Sequence, residues 1–415
     1  MGSIQKPNTS AKVAQKASPL SGSLRLFNTL SGRKEPFRPL TPGKVKMFVC
    51  GPTVQSLMHL GHARTNVFYD VVARYLSHLG NQVEYVMNIT DFDERITQAA
   101  AASGEDPIAF ALRYSEAFLA DMAAMKCNAV TRFEPVSKHV ETMLKDVGTL
   151  IDEGKAYAVD GWVYFDTSKF RRFGRLSHLS RLELSLRPLE LSPKKRHLLD
   201  FALWRPEVLL EGRWESPWGL GSPGWHIQDT AVTLSLLGPQ YDIHGGSYEL
   251  VYPHHEAEIA QGESLTGVSP IVRYWVHTHH VNMRGRKMSK SLGNVVTVRD
   301  ALEEYSADEL RFFLLCTHYR KDMDLRGMDA AARRLKRMRR LAGEIGETAD
   351  AKGSTIPPAF EAAMNDDFDT PRAIDSIDRA LKAAASVRDS GKRAESISAA
   401  ALALGVLGVD LFDNS

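Results

Sequence analysis

Two histidines lie three positions apart in the tetrapeptide His59-Leu60-Gly61-His62, directly before a segment that we predict to be a helix. A helix N-terminus favours phosphate, because its backbone N–H groups are free and its dipole is positive there. The two imidazoles could therefore donate hydrogen bonds to a triphosphate, and Gly61 would let a nucleotide approach the backbone closely. Residue types alone leave a second interpretation, a pair of surface histidines beside a turn.

A second group with chemical potential is Lys287-Met288-Ser289-Lys290-Ser291. Two lysines spaced by three on a flexible loop can hold a leaving pyrophosphate, and their charge would act mainly in the transition state. The alternative is a solvated turn rich in lysine and serine. Because the pentapeptide occurs in the same chain as the histidine pair, we favour an ATP-binding role for residues 287–290. Both lysines and both histidines would then stabilise developing phosphate charge.

The elements that must position these groups begin with a short buried strand, Val45–Val49. A helical pattern follows from Ala63 to Leu79, and Val83–Asn88 has the composition of a second strand. Strand, helix and strand in this order predict a parallel crossover unit, whose ligands sit beyond the carboxyl ends of the strands. Cys50 and Asn88 fall at those ends.

The sequence pattern changes after this α/β segment. Residues 156–222 contain hairpin-like pieces such as Trp162–Phe165 and proline-containing loops, which predict an insertion. Strand-like and helical segments resume near Gly224, and the pattern is helical from Ala301 to the end. We therefore predict an α/β fold, a Rossmann-type nucleotide-binding domain that is split by an insertion and followed by an all-α bundle.

The overall composition is ordinary for a globular protein. The 415 residues are 43% hydrophobic and 25% charged, and the net charge of +2 gives no strong field that would attract nucleic acid or membrane. The three cysteines are scattered singly, which suits a reducing compartment. No stretch approaches the apolar length of a membrane span. We expect a cytoplasmic monomer with a disordered tail over residues 1–23.

The histidine and lysine motifs resemble the HIGH and KMSKS signatures of class I aminoacyl-tRNA synthetases. Further runs, spread over roughly residues 24–415, resemble cysteinyl-tRNA synthetases: Cys50-Gly51-Pro52-Thr53-Val54, Gly61-His62-Ala63-Arg64-Thr65, Asn88-Ile89-Thr90-Asp91, Glu215-Ser216-Pro217-Trp218-Gly219, Pro223-Gly224-Trp225-His226-Ile227, Asp242-Ile243-His244-Gly245-Gly246 and Pro253-His254-His255-Glu256. They are also similar to the cysteine ligase of mycothiol biosynthesis, a relative that joins cysteine to an amino sugar. The resemblance implies ATP with Mg²⁺ as the nucleotide, and Gly51, Gly245 and Gly246 as part of its site.

The resemblance also implies a metal site, at which this chain differs from its family. In cysteinyl-tRNA synthetases a zinc ion, held by two Cys, one His and one Glu, binds the substrate thiolate. Cys50, His254 and Glu258 match three of these ligands, and the last two are spaced i,i+4 after Pro253 at a predicted helix start. Asp229 stands where the family has its second cysteine.

Two interpretations of Asp229 stay open. Asp229 is a competent zinc ligand with the formal charge of a thiolate, although it makes the site harder and less suited to a soft substrate. Alternatively the metal is lost, and Asp229 is a bare carboxylate that holds a cationic or hydroxylated side chain.

Other positions of the amino-acid pocket also differ from the family. Glu249 stands where the family has an Asp near the substrate ammonium, and Gln55 stands where Tyr is usual. Thr53 and Trp225, which line the same pocket by resemblance, are retained. Together with Asp229, these changes leave open whether the amino acid is cysteine or a related small one.

The nature of the acceptor rests on two opposing features. The chain ends at Ser415, similar to the mycothiol-type ligase, and without the anticodon-reading domain that full-length cysteinyl-tRNA synthetases carry. A run of basic residues in one predicted helix points instead to an RNA partner, although such runs are usually solvated faces. Its members are Arg333, Arg334, Lys336, Arg337, Arg339 and Arg340.

We therefore predict an ATP-dependent ligase that activates cysteine or a related small amino acid as aminoacyl-AMP and transfers it to a small amine or a carrier. The alternatives are a short cysteinyl-tRNA synthetase and an inactive paralogue that binds RNA or a partner, and the intact histidine and lysine motifs argue against the last. The predicted segments are the tail at 1–23, the first catalytic half at 24–128, the insertion at 129–222, the second half at 223–283, the KMSKS loop and connector at 284–325, and the bundle at 326–415.

Overall fold

The computed structural model describes residues 24–187, 192–206, 214–283, 285–287, 295–345 and 355–413. Its strands are β1 Arg25–Asn28, β2 Arg33–Pro36, β3 Lys44–Val49, β4 Gln82–Ile89, β5 Arg132–Pro135, β6 Ala156–Val159, β7 Trp162–Phe165, β8 Phe201–Pro206, β9 Gly221–Pro223, β10 Tyr241–Ser247, β11 Val272–Thr278, β12 Val281–Met283, β13 Arg286–Lys287 and β14 Met323–Asp324. Its α-helices are α1 Leu60–His78, α2 Glu94–Ser103, α3 Pro107–Ala124, α4 Val140–Asp152, α5 Arg181–Ser185, α6 Trp225–Leu237, α7 Glu256–Thr266, α8 Val298–Glu304, α9 Ala307–Leu315, α10 Met328–Ile345, α11 Pro358–Met364, α12 Thr370–Ala385 and α13 Ser390–Val406.

The centre of the molecule is a parallel sheet in the order β11-β10-β3-β4-β5. The predicted α/β class and the predicted crossover from β3 through α1 to β4 are confirmed. The chain runs outward from β3 to β4 and β5 on one side, and from β10 to β11 on the other. The strand order therefore reverses between β3 and β10. In open sheets of this kind the crevice at the carboxyl ends of such a strand pair is where ligands bind.

Helix α1 is held on the sheet by its apolar side and by one tyrosine. Val67, Val71 and Tyr75 are buried at successive turns. The Tyr69 hydroxyl donates to the Val276 carbonyl at 2.5 Å and accepts from the Gly246 N–H at 2.9 Å. The start of α1 is thereby fixed relative to the ends of β10 and β11.

The insertion forms its own antiparallel sheet in the order β6-β7-β8-β9. The predicted hairpin strand Trp162–Phe165 is β7, with the predicted bounds. Strand β5 was not foreseen, because its four residues carry a proline and two charges. It pairs with β4 in the central sheet four residues beyond the predicted boundary at 128, while the boundaries themselves stay predictions.

The C-terminal part is helical, as predicted, with one short exception. Strand β14 interrupts the helices and pairs in parallel with β12, so the segment from Ala301 onward is not helical throughout. Leu335 and Met338 of α10 are fully buried against the rest of the bundle. Among the described residues, no helix combines the length and the apolar character that crossing a membrane requires.

Candidate active site

A cavity of about 400 Å³ lies at the carboxyl ends of β3 and β10, where the strand order reverses. It brings together most of the residues predicted from the sequence: Cys50, Gly51, Thr53, Gln55, His59, Gly61, His62, Trp225, Asp229, Glu249 and His254. Glu258 is 2% exposed and lies directly behind His254, with 3.1 Å between its Oε1 and the His254 Nε2. The nucleotide motif and the predicted metal ligands therefore share one cavity.

The histidine pair opens α1 differently from the prediction. The helix begins at Leu60 rather than Ala63, and His59 is its N-cap. The His59 Nδ1 accepts from the backbone N–H of Gly61 at 3.1 Å and of His62 at 3.3 Å. The two rings stack with centroids 3.7 Å apart. These two N–H groups are therefore not available to phosphate, but a neutral His59 must carry its proton on Nε2, which leaves that nitrogen as a donor.

The ends of the lysine-rich loop lie beside the histidine pair. Lys287 ends β13, and Met288, Ser289 and Lys290 lie outside the described residues. On the near side of the loop, Val281 of β12 lines the cavity. On the far side, the N–H of Leu60 donates to the Val296 carbonyl at 3.0 Å, and the N–H of Val298 donates to Met58 at 2.8 Å. Described residues on both sides of the second motif therefore contact the cavity or the histidine motif.

The four predicted metal ligands converge. Ligand atoms of Cys50, Asp229, His254 and Glu258 all lie within 4.8 Å of one another. The Asp229 Oδ2 is 3.1 Å from the Cys50 Sγ and 3.1 Å from the His254 Nε2. Helix α7 begins at Glu256 instead of Pro253, so His254 lies in the preceding turn, yet its imidazole still reaches Glu258.

A second set of ligands lies further inside and was missed by sequence reasoning. Cys50, His244, His255 and Glu258 also have ligand atoms within 4.8 Å of one another. The signal was present, since both histidines belong to motifs that the resemblance singled out, Asp242–Gly246 and Pro253–Glu256. His244 and His255 are fully buried, whereas Cys50, Asp229 and His254 line the cavity. The outer set therefore faces the cavity, whereas the inner set reaches it only through Cys50.

The three histidines of these sets are oriented by partners behind them. Each points its Nε2 towards the cluster and engages its Nδ1 elsewhere. The Nδ1 of His254 pairs with the His226 Nδ1 at 2.9 Å, that of His244 with the Tyr241 hydroxyl at 2.7 Å, and that of His255 with the His277 Nε2 at 2.8 Å. Metal-binding histidines are held in this way, because the outer hydrogen bond fixes the ring and the tautomer.

The electrostatics of the cluster favour a bound cation. Burial, then the nearby Asp229 and Glu258 carboxylates, raise the pKa of the Cys50 thiol well above its ordinary value. Burial, then Asp229, likewise raise the pKa of Glu258. Burial lowers the pKa values of His244 and His255, so these two imidazoles do not supply a positive charge that balances the acids. Among the described residues, the buried Glu258 Oε1 forms no hydrogen bond, although it lies 3.1 Å from the His254 Nε2. A thiol, an imidazole and carboxylates in this geometry fit zinc.

On the amino-acid side of the cavity, Arg95 and His280 join the residues that were predicted from the sequence. The Trp225 ring stacks on His254 with centroids 4.2 Å apart. The Arg95 guanidinium also lies over the Trp225 ring, 5.0 Å from its centroid, and donates to the Thr53 hydroxyl at 3.1 Å. Glu249 faces the His280 Nδ1 at 3.4 Å. The wall therefore combines an aromatic surface with both signs of charge.

The glycines predicted at the nucleotide have packing reasons of their own. A Cβ on Gly51 would lie 1.7 Å from the Asn88 carbonyl oxygen, so only glycine lets β3 end this close to β4. A Cβ on Gly245 would lie 2.4 Å from the Tyr69 ring. Gly245 and Gly246 do not line this cavity. Their contact with ATP stays a prediction.

The basic run on α10 is largely neutralised by acidic neighbours. Arg334 lies 2.6 Å from Asp375, and Arg339 lies 2.6 Å from the buried Asp308. The remaining pairs are Lys336 with Glu309, Arg337 with Asp378 and Arg340 with Glu344. These contacts favour a packing and surface role for the run over a face that binds RNA phosphates.

Comparison with known proteins assigns both parts of the chain. Residues 36–333 match the tRNA synthetases class I (C) catalytic domain, and residues 359–411 match the DALR domain. A cysteine–tRNA ligase from Pelotomaculum thermopropionicum is 45% identical over 386 residues, which cover 89% of this chain and 79% of the relative. One from Geobacter metallireducens is 43% identical over 389 residues, with coverage of 89% and 80%. These names favour the tRNA alternative, and they give no support to a small amine or a carrier as acceptor.

Solved structures agree on the fold. A Mycobacterium tuberculosis methionyl-tRNA synthetase in complex with methionyl-adenylate superposes with a TM-score of 0.60 and 16% identity, covering 88% of this chain and 89% of that one. A leucyl-tRNA synthetase of Agrobacterium radiobacter, in a ternary complex with tRNA, gives 0.66 and 13%, covering 89% and 84%.

Proposed function

Because the chain belongs to the class I tRNA synthetases, with a catalytic domain of the cysteine type and a DALR domain, we propose that it is a cysteine–tRNA ligase. It would activate cysteine with ATP and Mg²⁺ and then esterify tRNA. The observation that carries the proposal is the single cavity that joins the His59–His62 pair to the cluster of Cys50, Asp229, His254 and Glu258.

In the first step, an oxygen of the cysteine carboxylate attacks the α-phosphorus of ATP. A phosphorus–oxygen bond to the carboxylate forms, and the bond to the β-phosphate oxygen breaks, so pyrophosphate leaves with the electron pair. His59 would donate from Nε2, the nitrogen that does not cap the helix, and His62 stacks beside it. Lys287 and Lys290 would hold the leaving pyrophosphate. Donors placed where charge develops lower the barrier most.

The amino acid would be recognised by its thiol at the outer ligand set. Cys50, Asp229, His254 and Glu258 would hold zinc, which supplies a Lewis acid that favours the thiolate form of the substrate. Trp225 and Thr53 would pack around the bound amino acid. Glu249 would pair with its ammonium group, although here this carboxylate already faces His280. Gln55 would complete the wall.

In the second step, a terminal ribose hydroxyl of tRNA attacks the carbonyl of the adenylate. The ester bond forms, the bond from the carbonyl carbon to the AMP oxygen breaks, and AMP leaves. The names of the similar relatives support tRNA as the acceptor.

The first test is ATP–pyrophosphate exchange without tRNA across cysteine, serine and basic amino acids, followed by charging of tRNA. We expect exchange with cysteine alone, about one zinc per chain by metal analysis, and cysteine-dependent charging. Exchange with another amino acid but not with cysteine would mean that the cavity does not recognise a thiol and that the enzyme activates a different amino acid. Exchange with cysteine but no charging of any tRNA would contradict tRNA as the acceptor and would favour a small amine or a carrier.

A further inference from the structure

Asn88 connects the end of β3 to the aspartate that replaces the family's cysteine. It is 1% exposed, and both ends of its amide are engaged. Its Oδ1 accepts from the Gly51 N–H at 2.6 Å, and its Nδ2 donates to the Asp229 Oδ1 at 2.8 Å. Because the backbone N–H can only donate and the carboxylate can only accept, these two partners fix which way the amide points.

The two oxygens of Asp229 are made unequal by this contact. Oδ1 is held by Asn88, whereas Oδ2 faces Cys50 and His254 at 3.1 Å from each. A thiolate offers a metal one atom, but an ionised carboxylate offers two. Replacing cysteine by aspartate therefore creates a choice of ligand atom that the family's residue does not have.

We propose that Asn88 is a positioning residue that makes Asp229 a one-oxygen metal ligand. With Oδ1 engaged, Oδ2 alone enters the coordination sphere and takes the place of a single sulfur. The cluster would then offer the metal four protein atoms instead of five, which would leave more room for a substrate thiol than a carboxylate bound through both oxygens. The inference rests on the zinc site of the proposed function. It explains how the cavity can bind zinc although Asp229 replaces the family's cysteine.

The test is a double-mutant cycle on zinc affinity, measured by competition with a chelator. Asn88→Leu preserves side-chain size and removes the donor, so zinc affinity should fall about 10- to 100-fold, as for other outer partners of metal ligands. In the Asp229→Cys background the same change should lower zinc affinity clearly less, because a cysteine offers the metal only one ligand atom. An equal loss in both backgrounds, or no loss with Asp229, would overturn the proposal.

Thr90→Val is the matched control, since the Thr90 hydroxyl is the other acceptor near the Asn88 Nδ2, at 3.4 Å. This variant should keep wild-type zinc affinity, and a loss equal to that of Asn88→Leu would count against the proposal. Thermal unfolding of the metal-free proteins checks that each variant folds.

X-ray absorption supplies evidence that does not depend on the Asn88 variant. Wild type and Asp229→Cys should have the same number of zinc ligands, with one oxygen exchanged for one sulfur. One extra oxygen in wild type would mean a two-oxygen carboxylate and would overturn the inference. Zinc binding with the expected coupling but no cysteine-dependent exchange would sink the proposed function alone, whereas absence of zinc would sink this inference whatever the activity.

Discussion

Asp229 is a buried carboxylate and Asp146 is a half-buried one, and the two differ in their hydrogen-bond partners. Asp229 has an amide, a thiol and an imidazole within hydrogen-bond distance. Asp146 of α4 has a buried oxygen without a partner, and burial raises its pKa to about 6. A carboxylate that keeps its partners is suited to a ligand, whereas one without them weakens the fold when it ionises.

Replacing Asp146 by Asn should therefore stabilise the protein at neutral pH. The folded-state pKa lies above the unfolded one, so the destabilisation is fully present above about pH 6, fades as the pH falls from 6 towards 4, and is absent at lower pH. We expect a gain of about 2 to 3 kcal/mol at pH 7 in the free energy of unfolding, measured by urea denaturation.

The pH dependence provides the check on this prediction. The gain should disappear near pH 4, and Glu141→Gln, at an exposed position of the same helix, should change little at either pH. A gain that is the same at both pH values would mean that ionisation of Asp146 is not its cause.

At the scale of elements, the start of α1 combines a structural and a chemical task in one residue. His59 caps the helix with Nδ1, and in the proposed mechanism it donates to phosphate from Nε2. Asparagine is a good N-cap but has no imidazole, and alanine neither caps nor donates. The two replacements can therefore separate the tasks.

His59→Asn should keep the stability of the wild type and lower the rate of cysteine-dependent pyrophosphate exchange about 10²- to 10³-fold, the usual effect of removing one transition-state donor. His59→Ala should show a similar loss of rate and a further loss of about 1 kcal/mol in stability. Wild-type exchange in the Asn variant would reduce His59 to a helix cap.

At the scale of the whole molecule, one buried ion pair ties the C-terminal helices to the catalytic domain. The Arg311 guanidinium of α9 donates to the Asp70 carboxylate of α1 at 2.7 Å, and both side chains are fully buried. The same guanidinium donates to the carbonyls of Met125 and Leu407 at 2.9 Å each. One side chain thereby joins three segments that are remote in sequence.

Arg311→Met should lower the free energy of unfolding by about 2 to 4 kcal/mol. It removes one of the two arginines that pair with the buried Asp70, leaving Arg74 at 2.7 Å, and it takes the donor away from the carbonyls of Met125 and Leu407. Arg326→Met is the control. Its partner Asp324 lies at the surface, and the arginine side chain is 71% exposed, so the loss should stay below about 1 kcal/mol. If urea denaturation shows an equally small loss of unfolding free energy for both variants, contacts other than those of Arg311 hold the bundle on the catalytic domain.

The sequence by itself determined the class of fold and the main motifs. Strands β3 and β4 and helix α1 follow from local hydrophobic patterns, which depend on neighbouring residues. The histidine tetrapeptide could likewise be identified from residue type and spacing, whereas the residues around Trp225 and the Asp229 replacement were identified through the family resemblance. Their individual roles in binding and catalysis stay predictions.

Only the tertiary structure decided which atoms meet. The Asn88–Asp229 contact spans 141 residues, and the inner pair His244 and His255 reaches Cys50 across about 200. The capping role of His59, the pairing of β5 with β4 and the pairing of β14 with β12 could not be predicted from the sequence either. Local patterns specify an element and its buried face, but the approach of two distant side chains depends on sheet order and on packing across the chain.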